Sequence, residues 1–130
     1  MKRQIHVIRS ADRSSGVPEN FKLELTTPIN DVVKISLLSA NIPTNATDYF
    51  YINIKQFQNK VVSENGFLNY SSFVIPDNGV FYANTGFNQD IIFSSNTHLY
   101  YLDVQLLGDN SQPISGITDW SFVLEFTLNR

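Results

Sequence analysis

The stretch that decides the fold is NFKLELTTPINDVVKISL, residues 20–37. Phe21, Leu23 and Leu25 alternate with Lys22, Glu24 and Thr26, a period of two that marks a strand with one buried face. Pro28-Ile29-Asn30-Asp31 reads as a turn, because each residue favours a break in extended backbone. Val33, Ile35 and Leu37 then alternate with Lys34, Ser36 and Leu38, and Pro43 closes that second strand. The same period continues outward. Phe50, Ile52 and Ile54 share one face of a third strand. Shorter candidates follow at 72–75, 80–83 and 90–94, each bounded by Pro, Gly, Asn or Asp. Pro76-Asp77-Asn78-Gly79 has the composition of a hairpin turn, since Asn-Gly accepts positive φ angles. Residues 98–107 form a long aromatic strand. In residues 120–128 the alternation is cleanest, with Phe122, Leu124, Phe126 and Leu128 on one face and Ser121, Val123, Glu125 and Thr127 on the other. That strand belongs in the middle of a sheet.

No window keeps apolar residues at helical spacing without interruption by Pro, Gly or β-branched residues. Residues 58–71 have room for one short turn, and residues 111–119 read as a loop. The expectation is an all-β chain of eight or nine strands, an antiparallel sandwich or barrel. At 130 residues it has room for one domain, 1–130.

Composition narrows the function classes. Apolar residues make up 42% of the chain, but charged residues only 16%, against roughly 25% in an average soluble domain. Asn (14) and Ser (13) supply the missing polarity. Such a surface costs less to desolvate than one of Lys and Glu, which favours a protein partly covered by neighbours. A loop-rich β protein that needs turn residues gives the same composition. The net charge of −3 argues against a general nucleic-acid binder. Lys2, Arg3, Arg9 and Arg13 nevertheless concentrate four of the nine basic side chains in the first thirteen residues, where Asp12 is the sole acid. Residues 1–19 therefore read as a basic N-terminal arm or edge segment, with the four cations free of acidic partners. The alternative for Arg13 is a local pair with Asp12. No cysteine is present, so no disulfide, thiolate nucleophile or Cys-ligated metal is available. No run of 18 apolar residues marks a membrane span, and the N-terminus has no secretion-signal core.

Reaction chemistry finds little to stand on. His6 and His98 lie in separate strands without a partner at metal spacing. Most acids occupy turn positions, while Glu24 and Glu125 sit on the polar faces of strands. No nucleophile elbow, Gly-rich phosphate cradle or calcium loop occurs. The expectation is no catalytic residue, no metal and no cofactor. Tyr49, Phe50, Tyr51, Tyr82, Tyr100 and Tyr101 form either a sugar-stacking platform or core and cross-strand packing.

One ordered set of motifs resembles a known family. It consists of Ser10-Ala-Asp12-Arg13, Asn20-Phe21-Lys-Leu23-Glu-Leu25, Pro28-Ile29-Asn-Asp-Val32-Val-Lys-Ile35-Ser-Leu37 and Ile42-Pro43. This order is similar to the N-terminal half of penton and small minor capsid proteins. Those proteins come from large icosahedral double-stranded DNA viruses, their virophages and transposon-like relatives. Beyond residue 55 the likeness is only that of an all-β chain ending in a strong strand. The resemblance implies a single jelly roll of two four-stranded sheets and a structural role in a virion. It also implies assembly in the host cytoplasm as a homopentamer, in contact with other capsid proteins. No specific nucleic-acid binding is expected, although the basic arm would face an internal membrane or the genome. Arg3, Arg9, Asp12, Arg13, Tyr49 and Tyr51 are the candidate assembly contacts. The competing reading is a carbohydrate- or receptor-binding sandwich from a phage tail, fibre or polysaccharide-binding system.

Overall fold

The computed structural model describes residues 2–43, 49–57, 59–62, 68–76, 80–82, 89–108, 114 and 117–129. Within these, the strands are β1 (Lys2–Arg9), β2 (Ser15–Val17), β3 (Asn20–Asn41), β4 (Tyr49–Ile54), β5 (Asn59–Val62), β6 (Leu68–Ser71), β7 (Phe73–Pro76), β8 (Val80–Tyr82), β9 (Gln89–Leu107) and β10 (Ser121–Leu128). A single 3-10 turn, Ser10–Asp12, follows β1. Eight strands form one curled antiparallel sheet in the order β1-β10-β3-β9-β4-β7, with β2 and β8 also paired to β3. β5 and β6 pair with each other, so residues 58–71 carry two strands where one short turn was expected.

The quoted stretch is one strand, not two. β3 runs unbroken for 22 residues, and the Pro28–Asp31 turn is a bend inside it. The expected strands at 90–94 and 98–107 likewise merge into the 19-residue β9. Both bend where their shared ladder is interrupted. Residues 20–24 of β3 pair with 101–105 of β9, Ile29 meets Leu99, Val32 meets Thr97, and regular pairing resumes at Lys34↔Ile92. Asp31 sits at the break with φ of 60°, a left-handed conformation that costs an L-residue about 1–2 kcal/mol. Its backbone is held there: the N–H donates to His98 Nδ1 (3.3 Å) and the carbonyl accepts from Asn129 N (2.8 Å).

The interruption changes which side chains face inward. An extra residue in one strand reverses the alternation beyond it. The ladder shifts between Val32 and Lys34 against β9, and between Thr127 and Leu128 against β10. Val32 is therefore buried beside Ile35 and Leu37, while Val33, expected on that face, is half-buried on the other side of the shift.

Because β3 and β9 bend together, each contributes to two parts of the curled sheet. One part holds β1, β10, residues 32–41 of β3, and residues 89–97 of β9 with β8. The other holds β2, residues 20–24 of β3, residues 101–105 of β9, β4 and β7. A single hydrophobic core draws on both, joining Ile35, Leu37, Phe122, Leu124 and Phe126 to Phe50, Ile52, Phe73, Leu102 and Val104. The hairpin expected at Pro76–Gly79 pairs differently. Residues 77–79 lie outside the described residues, and the flanking strands β7 and β8 pair with β4 and β3 respectively.

β10 keeps the expected alternation without exception and lies between β1 and β3, hydrogen-bonded on both sides. Phe126 is fully buried, so Phe126→Ala should destabilise the fold by about 3–5 kcal/mol. Thr127→Ala, on the opposite face, should change stability by about 0.5 kcal/mol or less. Urea denaturation of both variants checks the difference; equal, small losses would contradict a central β10.

Candidate functional site

β1 is stitched to the far end of the chain by the residues that follow it. Ser10 is buried, and its backbone N–H donates to the Trp120 carbonyl (2.9 Å). Its hydroxyl accepts from the Trp120 backbone N–H (2.8 Å) and donates to Asp119 Oδ1 (2.9 Å). A serine hydroxyl has one donor and two acceptor lone pairs, so it can serve both bonds at once. Arg13 completes the clasp. Its Nη1 donates to the Ser10 carbonyl (2.9 Å) and to Asp119 Oδ1 (3.0 Å), and its Nε to the Gly16 carbonyl (3.1 Å). Gly16 has φ of 97°, and a Cβ there would lie 2.3 Å from the Asn20 carbonyl oxygen, so this tight hairpin requires glycine. The Trp120 indole N–H donates to the Pro18 carbonyl, and its ring stacks on Phe122 and meets Phe21 edge-on.

Arg13 is neither free of acidic partners nor paired with Asp12, the two alternatives the sequence left open. The 3-10 turn brings Asp12 back to Arg9 at i,i+3, where the guanidinium forks onto both carboxylate oxygens (3.0 and 2.8 Å). Arg13 takes Asp119 instead. The Arg9 hydrogen bond holds the Asp12 carboxyl below its ordinary range and raises the Arg9 guanidinium. Arg3 lies 3.9 Å from Glu125 on the neighbouring strand. Arg3 and Arg13, expected to be free of acidic partners, thus find them in β10 and just before it. Exposed pairs of this kind contribute little to stability; their effect is to spend positive charge locally.

Of the other candidate contacts, Tyr49 lies in β4 with a side chain outside the described set. Tyr51 is 5% exposed, opposite Val74 and Leu107. It packs within the chain and has little ring surface to offer a neighbour. The aromatic group is divided in the same way: Phe50 is buried with Tyr51, while Tyr82 and Tyr100 are exposed on different strands. Tyr101, adjacent to Tyr100 and so on the other face of β9, lies under Lys22 Nζ at 4.6 Å. His6 sits over the edge of Phe126, with its Nε2 3.2 Å from Gln4 Oε1. His98 serves the bend. Among the described residues no group of three or more His, Cys, Asp or Glu side chains could hold a metal ion. Among the same residues no helix is long and apolar enough to cross a membrane.

Two features were missed in sequence. Ser10 lies 109 and 110 positions from Asp119 and Trp120, and nothing local marks their meeting. The outward face of β1 carries Ile5 and Val7, 64% and 61% exposed, beside a groove of about 480 Å³ that runs between β1 and Leu23–Thr27 of β3. The alternation Gln4-Ile5-His6-Val7-Ile8 does contain this signal, since it places apolar residues on both faces of one strand.

No protein-family model matches the chain, and no curated protein matches it.

Removing the Ser10 hydroxyl leaves the buried Trp120 N–H without its acceptor. Ser10→Ala should cost about 1–3 kcal/mol in chemical denaturation, whereas Arg9→Ala, which breaks an exposed pair, should leave the midpoint nearly unchanged. Burial lowers the His6 pKa below 6.5. The unfolded chain therefore takes up the proton first, so the His6 contribution is complete above pH 6.5 and is lost as pH falls through the lowered folded value. Denaturation midpoints measured between pH 7.5 and 5 should decline on the acid side, and His6→Gln should flatten that decline.

Proposed function

We propose that this chain is a structural subunit of an icosahedral virion, a penton or minor capsid protein built on a single jelly roll, and not an enzyme. The observation that supports this reading most is the order of strand pairing. Divided at their common bend, β3 and β9 give four segments, which with β1, β4, β7 and β10 make eight in chain order. The first pairs with the eighth (β1 with β10), and the second with the seventh (β3 20–24 with β9 101–105). The third pairs with the sixth (β3 32–37 with β9 89–97), and the fourth with the fifth (β4 with β7). That is a long antiparallel ribbon of four successive pairs. Winding such a ribbon brings the eighth segment beside the third and the seventh beside the fourth. Those are the two further ladders, β10 with β3 and β9 with β4. Capsid and lectin domains both use this winding.

The choice within that class rests on the resemblance of residues 10–43 and on a surface low in charge. In this reading the chain assembles with itself as a pentamer through heterologous side contacts and meets other capsid proteins, in particles formed in the host cytoplasm. Residues 2–9 are laid into the sheet, so an approach of this segment to an internal membrane or the genome is made by a fixed strand. Lys2 is the exposed cation available for it, since Arg3 is drawn to Glu125.

Particles purified from the source of this chain decide the matter. Antibodies against the chain should label particle vertices, and its copy number should be five-fold per labelled site. A chain absent from particles, which as a monomer is retarded on polysaccharide gels, would overturn the proposal in favour of a glycan-binding module.

A further inference from the structure

The edges of the sheet are finished very differently. At β7 both backbone groups of Val74 are held by the side-chain amide of Gln89, the N–H by Oε1 and the carbonyl by Nε2, each at 2.7 Å. Pro76 in the same strand has no N–H to give, and β2 and β8 are only three residues long. Short strands, proline and covered backbone are the ordinary means of preventing edge-to-edge pairing. β1 has none of them. It is eight residues long, contains no proline, and pairs with β10 without a register shift.

The direction of its free backbone groups follows from one bond. Ser10 N–H donates to Trp120 O, one step beyond the Arg9↔Ser121 pair, so Ser10 and Trp120 are a bonded pair of the antiparallel ladder. Bonded and non-bonded pairs alternate. Gln4, His6 and Ile8 therefore spend their backbone groups on β10. Arg3, Ile5, Val7 and Arg9 aim theirs at the open edge, beside the groove bounded by Leu23–Thr27.

We infer that β1 is a pairing edge for the β1 strand of a second copy of this chain, joined antiparallel about a two-fold axis at His6. In that register Ile5 faces Val7 of the second copy, and Val7 faces its Ile5. Sliding two residues either way sets Arg3 against Val7 or Ile5 against Arg9, so only the central register matches apolar with apolar throughout. Charge also closes. Each end of the joint ladder brings together Arg3 with its Glu125 and Arg9 with its Asp12, two guanidiniums and two carboxylates. One ladder and four apolar side chains make an interface below the roughly 1,000 Å² of a stable complex, so the dimer is weak and needs high concentration. The contact is isologous and joins copies in twos; it cannot close a five-fold ring, so its failure would leave the capsid proposal untouched.

The absence of cysteine makes a direct test possible. The two-fold puts position 6 of both copies opposite each other in a non-bonded pair, with Cα atoms about 4.5 Å apart, within disulfide range. Oxidised His6→Cys should run as a covalent dimer, while Ile92→Cys, exposed on β9 and three strands from β1 along the sheet, should not. Sedimentation equilibrium of the unmodified chain up to about 1 mM should show a monomer–dimer equilibrium. Ile5→Lys should weaken it at least about tenfold without moving the denaturation midpoint, because Ile5 is exposed. Equal cross-linking at positions 6 and 92, a monomer at all concentrations, or an Ile5→Lys chain that dimerises like the original would each overturn the inference. Cross-linking through Ile5→Cys or Val7→Cys in place of His6→Cys would overturn the register.

Discussion

The coincident break in the β3–β9 ladder is the constraint on which the rest of the molecule depends. Two strands of 22 and 19 residues are too long to stay flat against one core. Had they bent at different heights, their ladder would have been lost over the whole span between. They bend together, across Glu24–Lys34 and Ile92–Tyr101, and pairing is interrupted only there. The local cost, a left-handed Asp31, is offset by hydrogen bonds from two distant segments: His98 in β9 takes its N–H, and Asn129 beyond β10 bonds its carbonyl. The corner is therefore fixed by residues that are themselves positioned only when β9 and β10 are in place. This makes the bend a consequence of the complete sheet and not a rigid hinge that directs it.

The clasp between Ser10 and Trp120 plays the complementary part at the other end of β10. A strand on the edge of a sheet has partners on one side only and frays from its free end. β1 is fastened where it leaves the sheet, by a buried hydroxyl and a guanidinium that share one carboxylate, Asp119. The carboxylate has a charged donor and a neutral donor on the same oxygen. The arrangement links residues 9–13 to residues 119–121 through three side chains, so the first and last strands act as one unit.

Much of this was legible in sequence wherever a side chain's environment depends on its own strand. The period of two in residues 120–128 foretold the buried set Phe122, Leu124, Phe126 and Leu128, because β10 has no irregularity on its β1 side. The same reading failed at Val33, because bulges belong to pairs of strands and the residue that shifts the parity is recognisable only against the partner's register. It failed again at Pro28–Asp31, where turn residues produce a bend within a strand when a second strand bends alongside. Asp12 and Arg13 stood out in the sequence, yet their partners within the chain did not. Arg9 needed the 3-10 turn, and Asp119 needed the whole ribbon to close. The exposure of Ile5 and Val7 was present as a pattern, but a strand apolar on both faces reads equally as a buried one until its neighbours are known.

Charge placement connects the clasp with the open edge of β1. Edge strands usually deter pairing with unpaired lysines or with charges directed inward. β1 carries three cations, but Arg3 and Arg9 are each turned towards a carboxylate on their own chain, and only Lys2, at the very end, stands apart. The electrostatic deterrent that the basic composition of residues 1–13 would provide is thereby largely neutralised, and the middle of the strand is left with Ile5 and Val7. Gln89 and Pro76 show that the same chain can close an edge when closure is required. A protein that closes one edge with a two-point amide bond and neutralises the charges on another has edges of two kinds, and the physical difference between them is access to the backbone.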